Sequence, residues 1–178
     1  MAGIVSLDTV LIVIDVQVGM FVETDPVYAG DRLLKQIQNL ISRARSSKLP
    51  VIYVQHNEGA GEPLETGTSG WHIHPSISPL KEDLIIQKFT PDAFHETSLH
   101  DELTKRGIRK IVVAGMQTDV CVDATSRRAH ELGYDVIIAG DTHSTWNQGD
   151  LTAQEIIDQY NASFRSFAIV KAARDVEF

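Results

Sequence analysis

The sequence has 178 residues, of which 43% are hydrophobic and 22% are charged, and its formal net charge is -8. These values are typical of a globular protein with a substantial core, and we expect a single domain over residues 1–178. The negative charge argues against nucleic acid or an anionic membrane as a partner. One cysteine cannot form an internal disulfide, so nothing indicates an oxidising compartment.

The N-terminal stretch MAGIVSLDTVLIVIDVQ lacks the basic region and the small-residue cleavage site of a secretory leader. Its apolar run ends at Asp15, which makes it too short to span a bilayer. We therefore interpret this run as a buried strand and expect a cytoplasmic protein with no membrane partner.

Six short apolar runs predict β-strands. They are continuous rather than alternating, as expected for strands that are covered on both faces. The predicted strands are residues 9–15, 50–55, 83–88, 110–115, 135–140 and 167–170, the last being the weakest.

Helical patterns lie between most of these runs. Apolar residues recur at helical spacing in residues 33–44, 99–103, 121–132 and 156–164. Gly107 and Gly133 end the second and third helices, and Thr152 with Glu155 forms a capping box before the fourth. Thr118 or Asp119 is the predicted N-cap of the third helix, which places Cys121 in its first turn.

The alternation of strands and helices predicts a mainly parallel sheet of six strands, in the order 3-2-1-4-5-6, with helices on both faces. One long segment, residues 56–79, interrupts this alternation and is rich in Gly, Pro, Ser and Thr. A loop of this length inside a compact domain is more often functional than idle.

Polar residues stand at the predicted carboxyl ends of four strands, where parallel sheets bind their ligands. They are Asp15, Gln55, Lys88 and, just past the fourth strand, Cys121. A cysteine at a helix N-terminus gains thiolate character from free amides and the helix dipole, and Lys88 would add a cation. This pattern favours an activated nucleophile for acyl transfer, whereas the alternative interpretation is a small buried hydrophobic residue.

Three segments resemble the isochorismatase-like cysteine hydrolases: LIVIDVQVGM, TAQEIIDQYNASF and the stretch from QKFTPDAF through TDVCV to DVIIAGD. The resemblance implies a Rossmann-like three-layer α/β/α sandwich with a catalytic triad of Asp15, Lys88 and Cys121. Cys121 would attack an electrophilic carbon, Asp15 would carry protons, and Lys88 would balance the charge. A covalent thioester intermediate on a small-molecule amide or related C–N bond would follow, without a cofactor.

The same resemblance implies a cis peptide between Met116 and Gln117, which would aim the amides of Gln117 and Cys121 at a forming oxyanion. It also implies a homo-oligomer, either a dimer or a tetramer, with residues 56–79 at a subunit contact. Six further residues are expected to bind the substrate: Gln17, Phe21, Gln55, Trp71, His74 and Phe94.

Two other enzyme activities compete with this interpretation. A true isochorismatase cleaves a vinyl ether and need not use the thiol. A metal-dependent nicotinamidase binds its metal through an Asp-x-His motif, which VQHNEG lacks although His56, His72 and His74 lie nearby. We therefore expect no bound metal. A dinucleotide-binding module is disfavoured because DVQVGM contains no G-x-G-x-x-G.

Overall fold

The computed structural model describes residues 7–178. The strands of the described chain are β1 (Thr9–Ile14), β2 (Val51–His56), β3 (Leu84–Lys88), β4 (Lys110–Met116), β5 (Asp135–Ser144) and β6 (Ile169–Lys171). They form one sheet in the order β3-β2-β1-β4-β5-β6, and each neighbouring pair is parallel. The predicted strand order is confirmed.

The α-helices lie between these strands, as the apolar spacing indicates. Their bounds are α1 (Gly30–Ser46), α2 (Leu99–Lys105), α3 (Asp123–Glu131) and α4 (Ala153–Phe164). The capping box of α4 is present: the Thr152 hydroxyl accepts a hydrogen bond from the Glu155 amide, and the Glu155 carboxylate accepts one from the Thr152 amide. These reciprocal bonds fix the start of α4.

Both faces of the sheet are buried, which explains why the strands read as continuous apolar runs. In β1, Leu11 and Val13 face the apolar side of α1. Val10, Ile12 and Ile14 face the other way, toward a core that α2, α3 and α4 contribute to. This is the three-layer α/β/α arrangement that the sequence predicts.

Residues 57–79 form an ordered wall rather than an open loop. Short 3₁₀ turns occur at Ser69–Trp71 and Pro75–Ile77. The fully buried side chain of Gln17 holds the wall to the sheet, because its amide nitrogen donates to the carbonyls of His56 and Trp71. The segment therefore lies against the carboxyl ends of the strands.

Within residues 7–178, no helix is long and apolar enough to cross a membrane. The expected lack of a leader concerns residues 1–6 as well, and these lie outside the described residues.

Candidate active site

Asp15, Lys88 and Cys121 meet at the carboxyl edge of the sheet. Asp15 directly follows β1, Lys88 is the last residue of β3, and Cys121 lies in the turn after β4. The Lys88 ammonium nitrogen is 2.8 Å from Asp15 Oδ2 and 3.4 Å from Cys121 Sγ. An ammonium therefore contacts both a carboxylate and a thiol.

The three side chains differ in their access to solvent. Asp15 and Lys88 are fully buried, whereas Cys121 keeps 8% of its surface exposed. Cys121 is therefore the only one of the three with appreciable solvent-accessible surface, and the carboxylate and the ammonium attract each other strongly because water is excluded from them.

The backbone around Asp15 is specialised. Asp15 has a φ of 51°, in the left-handed region that few residues other than glycine adopt. The neighbouring strand approaches closely at Gly115, where φ is 127° and a Cβ atom would lie 2.1 Å from the Ile14 carbonyl oxygen. A glycine is required there, and it lets β4 deliver the cysteine turn beside Asp15.

Cys121 sits in a π-helical turn, Thr118–Val122, that precedes α3. The peptide bond between Met116 and Gln117 is cis. The amides of Val120 and Val122 both donate to the Gln117 carbonyl, which fixes the orientation of this segment.

The predicted N-cap was wrong. Gln117 occupies that position and makes no side-chain cap. The hydroxyl of Thr118 is instead bonded to the His143 ring at 2.8 Å, and the Asp119 carboxylate accepts hydrogen bonds from Thr145 and Gln148. These side chains fasten the turn to the end of β5 and to the segment after it, rather than capping a helix.

The resting thiol is not the stabilised thiolate that the helix position predicts. Burial raises the pKa of Cys121 to about 12, and the negative charge of Asp15 acts in the same direction, against the charge of Lys88. Burial also raises the pKa of Asp15, while Lys88 lowers it. The cost of ionising the thiol therefore comes from desolvation and from placing a second anion beside Asp15.

His56 is a member of the cluster that the sequence interpretation missed, because it was weighed there as a metal ligand. Its Nδ1 lies 2.9 Å from the Lys88 ammonium. Burial, followed by the charge of Lys88, lowers the pKa of His56 to about 4. The sequence offered one signal, since His56 directly follows the predicted strand 50–55, but its pairing in register with Lys88 is visible only in the structure.

Three of the six predicted substrate-binding residues form a hydrogen-bonded group under the wall. Gln17 and Gln55 both donate to the Trp71 carbonyl, at 2.8 and 3.0 Å. The Trp71 indole donates to Asn57 Oδ1 at 2.9 Å. These contacts join the wall to β2.

The other three lie in aromatic contacts. Phe21 meets His74 edge to face, with the ring centroids 4.8 Å apart. Phe94 stacks on Tyr134 at 6.1 Å, beside the core that α2 and α3 share. The structure thus places Phe21 and His74 together and Phe94 apart from them.

A cleft of about 660 Å³ has Gln117, at the start of the cysteine turn, in its lining, whereas Asp15, Lys88 and Cys121 do not line it. Its apolar lining includes Met20, Leu64 and Trp146. Three carboxylates also line it, and among the described lining residues there is no Lys, Arg or His: the acidic residues are Asp25, Glu58 and Glu62. No role was predicted for the three acidic residues, although Glu58 and Glu62 lie in the segment 56–79 that was expected to be functional.

No three His, Cys, Asp or Glu side chains within residues 7–178 lie close enough together to hold a metal ion. His72 packs against the Trp71 ring, and His74 Nδ1 accepts a hydrogen bond from the Ser76 amide. The expectation that the protein binds no metal stays a prediction.

Comparison with known proteins agrees with this architecture. A family model described as Isochorismatase domain matches residues 9–170. A streptothricin hydrolase of Streptomyces noursei is 32% identical over 137 residues, covering 77% of this chain and 54% of that protein. YddQ of Bacillus subtilis (strain 168), an uncharacterized isochorismatase family protein, is 35% identical over 146 residues, covering 78% and 79%. This chain spans about half the length of the streptothricin hydrolases it matches.

A crystal structure of an isochorismatase family protein superimposes on this chain with a TM-score of 0.87 at 32% identity. The superposition covers 93% of this chain and 98% of the other. The family model, the sequence relatives and the shared fold lead to one conclusion: the chain belongs to the isochorismatase family.

Proposed function

We propose that the protein is a cysteine hydrolase that cleaves a small-molecule amide or a related C–N bond through a thioester on Cys121. One observation carries the proposal: a buried ammonium, Lys88, lies within 2.8 Å of the Asp15 carboxylate and 3.4 Å of the Cys121 sulfur. Nucleophile, base and charge partner are then in contact before any substrate binds.

Proton transfer within the cluster avoids the high cost of ionising the thiol to water. When Asp15 takes the proton of Cys121, the negative charge moves from carboxylate to sulfur, and Lys88 remains beside it. The cluster holds one cation and one anion before and after the step. Burial and then the charge of Asp15 raise the pKa of Cys121 to about 12, and the second of these causes disappears when Asp15 takes the proton.

The chemical steps follow from this transfer. The thiolate attacks the carbonyl carbon, and the tetrahedral adduct collapses as the C–N bond breaks and the amine leaves with the proton held by Asp15. A water molecule, deprotonated by Asp15, then attacks the thioester. The C–S bond breaks, releasing the carboxylic acid and restoring the thiol.

The amides of Gln117 and Cys121 are the proposed donors to the oxyanion of the tetrahedral adduct. Support comes from the rigidity of this turn, since the Gln117 carbonyl accepts from both Val120 and Val122. Gln117 also lines the cleft, so a bound carbonyl group can approach it.

The charges of the cleft suggest the kind of substrate. Its three carboxylates disfavour an anionic ligand, and its apolar lining favours contact with carbon atoms, so we infer a neutral or cationic amide. The similarity to a streptothricin hydrolase supports hydrolytic chemistry. The six substrate-contact residues predicted from the sequence, and a dimer or tetramer, belong to the same proposal.

A second candidate, cleavage of a vinyl ether, is favoured by the raised pKa of Asp15, because a carboxyl group that keeps its proton can act as an acid. In that reaction Asp15 would protonate the substrate and Cys121 would be dispensable. The two candidates therefore differ in their need for the sulfur.

Cys121 is the sole cysteine of the sequence, so any thiol that becomes labelled in the test must be Cys121. A panel of neutral and cationic amides is incubated with the protein and with the Cys121→Ala and Cys121→Ser variants. We expect turnover and a substrate-derived mass adduct on Cys121 in the wild type, and neither in Cys121→Ala. Full turnover in Cys121→Ala would overturn the proposal. If a chelator then abolished that turnover, a metal-dependent amidase would replace it. A vinyl ether assayed beside the amides tests the second candidate: its cleavage by Cys121→Ala, lost in Asp15→Asn, would favour vinyl-ether chemistry.

A further inference from the structure

The Lys88 ammonium has three N–H donors, and three acceptors surround it. Asp15 Oδ2 and His56 Nδ1 lie at 2.8 and 2.9 Å, and Cys121 Sγ lies at 3.4 Å. Because Lys88 is fully buried, each donor needs a protein partner. The contacts to His56 and Cys121 are hydrogen bonds and the contact to Asp15 is an ion pair, so the ammonium is held from three sides.

We propose that His56 is a positioning residue that holds the Lys88 ammonium between Asp15 and Cys121. An ammonium cannot accept a hydrogen bond, so His56 Nδ1 is the acceptor and its proton is on Nε2. Without this acceptor, the N–H group that His56 holds is free to turn toward Asp15, and the donor aimed at the sulfur is no longer fixed.

The placement of His56 suits this task. Its backbone amide donates to Gln17 Oε1 at 2.9 Å, and its carbonyl accepts from Gln17 Nε2 at 3.0 Å. Its strand neighbour in register is Lys88 itself. The amide and the carbonyl of His56 are both hydrogen-bonded to Gln17, so the backbone that carries the ring is fixed beside Lys88.

The effect reaches the nucleophile through Lys88 alone. A donor already aimed at Cys121 stabilises the thiolate at the moment it forms, with no reorganisation. The low pKa of His56 agrees with this role, since a neutral ring is required beside the ammonium. Protonation of His56 would place two cations in contact.

Two variants distinguish the two roles that the His56 side chain could have, as a hydrogen-bond acceptor or as a group that fills space. His56→Asn keeps an acceptor in the place of Nδ1 and loses volume, whereas His56→Leu keeps much of the volume and loses the acceptor. The readout is the rate at which iodoacetamide alkylates Cys121 between pH 5 and 9, followed by intact mass. His130→Asn, an exposed position outside the cluster, is the matched control.

We expect His56→Leu to slow alkylation roughly tenfold, as for loss of one hydrogen bond to a charged group, and His56→Asn and the control to stay within about threefold of the wild type. The reverse order for His56→Leu and His56→Asn would show a packing role and overturn the inference. Equal rates for all variants would overturn it too. NMR of the wild type gives an independent measurement of the His56 tautomer. A proton on Nδ1 of His56 would also overturn the inference.

This inference rests on the proposed role of Cys121, but its failure is distinguishable. If Cys121 of the wild-type protein does not react with iodoacetamide, the proposed function itself is contradicted. A reactive wild type, together with an equally reactive and folded His56→Leu variant, would remove the role of His56 alone.

Discussion

The Thr118 hydroxyl is bonded to His143 Nδ1 at 2.8 Å, which ties the cysteine turn to the end of β5. His143 Nε2 is in turn bonded to Asn161 Oδ1 at 2.9 Å, and the Asn161 amide nitrogen donates to the Gly140 carbonyl. The orientation of Asn161 makes Nε2 the donor, so Nδ1 accepts the Thr118 proton. A hydrogen-bond chain, buried at its Thr118–His143 end, therefore runs from α4 to the turn that carries Cys121.

Thr118→Val removes the hydroxyl and keeps the shape of the side chain. It leaves His143 Nδ1 buried without its donor, and we expect unfolding free energy to fall by about 1–3 kcal/mol. Alkylation of Cys121 should slow as well, since the turn is less firmly held. Urea titration and intact mass measure the two effects. Thr118→Ser retains the hydroxyl and should stay close to the wild type; an equally stable Thr118→Val would contradict the prediction.

His143 also predicts how stability depends on pH. Burial lowers its pKa to about 4, whereas the ring titrates near 6.5 in the unfolded chain. Above pH 6.5 the ring is neutral in both states and stability is unaffected. As the pH falls toward 4, the unfolded state alone takes up the proton, so stability drops. The full loss from this residue is about 3 kcal/mol.

Urea titrations at pH 7 and pH 4.5 test this dependence. In His143→Asn the difference in unfolding free energy between the two pH values should shrink by most of that amount. His130→Asn, at an exposed position, should keep the wild-type difference. An unchanged difference in His143→Asn would show that His143 is not the titrating group.

Gly115 gives a steric prediction. Alanine there would adopt a φ of 127°, and its Cβ would lie 2.1 Å from the Ile14 carbonyl oxygen, which is backbone and cannot swing away. We expect Gly115→Ala to lose about 3 kcal/mol or more of stability, or to fail to fold. Gly59→Ala is the counterpart, because no atom lies within 4 Å of its added Cβ, and it should change stability by less than about 0.5 kcal/mol. Similar urea midpoints for the two variants would refute the steric argument.

The sequence predicted the sheet well because strands buried on both faces need continuous apolar runs, and these are visible in one dimension. The positions of Asp15, Lys88 and Cys121 followed from strand order, since parallel strands bring their carboxyl ends to one edge. The thiol pKa did not follow, because it depends on how deeply Cys121 is buried and on how close Asp15 lies. Neither distance nor burial is encoded in local spacing.

The acidic cleft escaped prediction for a related reason. Asp25, Glu58 and Glu62 come from two distant segments without a periodic pattern, and only the wall formed by residues 57–79 brings them to one surface. His56 escaped because its register partner across the sheet, Lys88, is 32 residues away in the chain. Long-range pairing of this kind depends on the register of β2 and β3.

Glu58 yields a prediction about the proposed base. Burial is the main cause of the raised pKa of Asp15, and the carboxylate of Glu58, half-buried in the lining of the cleft, is the weakest of the contributions and acts in the same direction. Alkylation of Cys121 should fall at acid pH as Asp15 becomes protonated and can no longer take the thiol proton. Glu58→Gln removes the neighbouring negative charge, lowers the pKa of Asp15, and should therefore move this acid limb to lower pH.

Glu62→Gln provides the comparison, because Glu62 lines the same cleft but is exposed, where solvent screens its charge. The Glu58→Gln variant retains a side-chain oxygen that can accept from the Leu64 amide, as Glu58 Oε2 does at 2.8 Å, so the wall should stay in place. The rate of Cys121 alkylation by iodoacetamide is measured from about pH 3.5 to 8 in both variants and the wild type. A limb that moves to higher pH in Glu58→Gln, or that moves equally in Glu62→Gln, would show that the charge of Glu58 does not contribute to the pKa of Asp15.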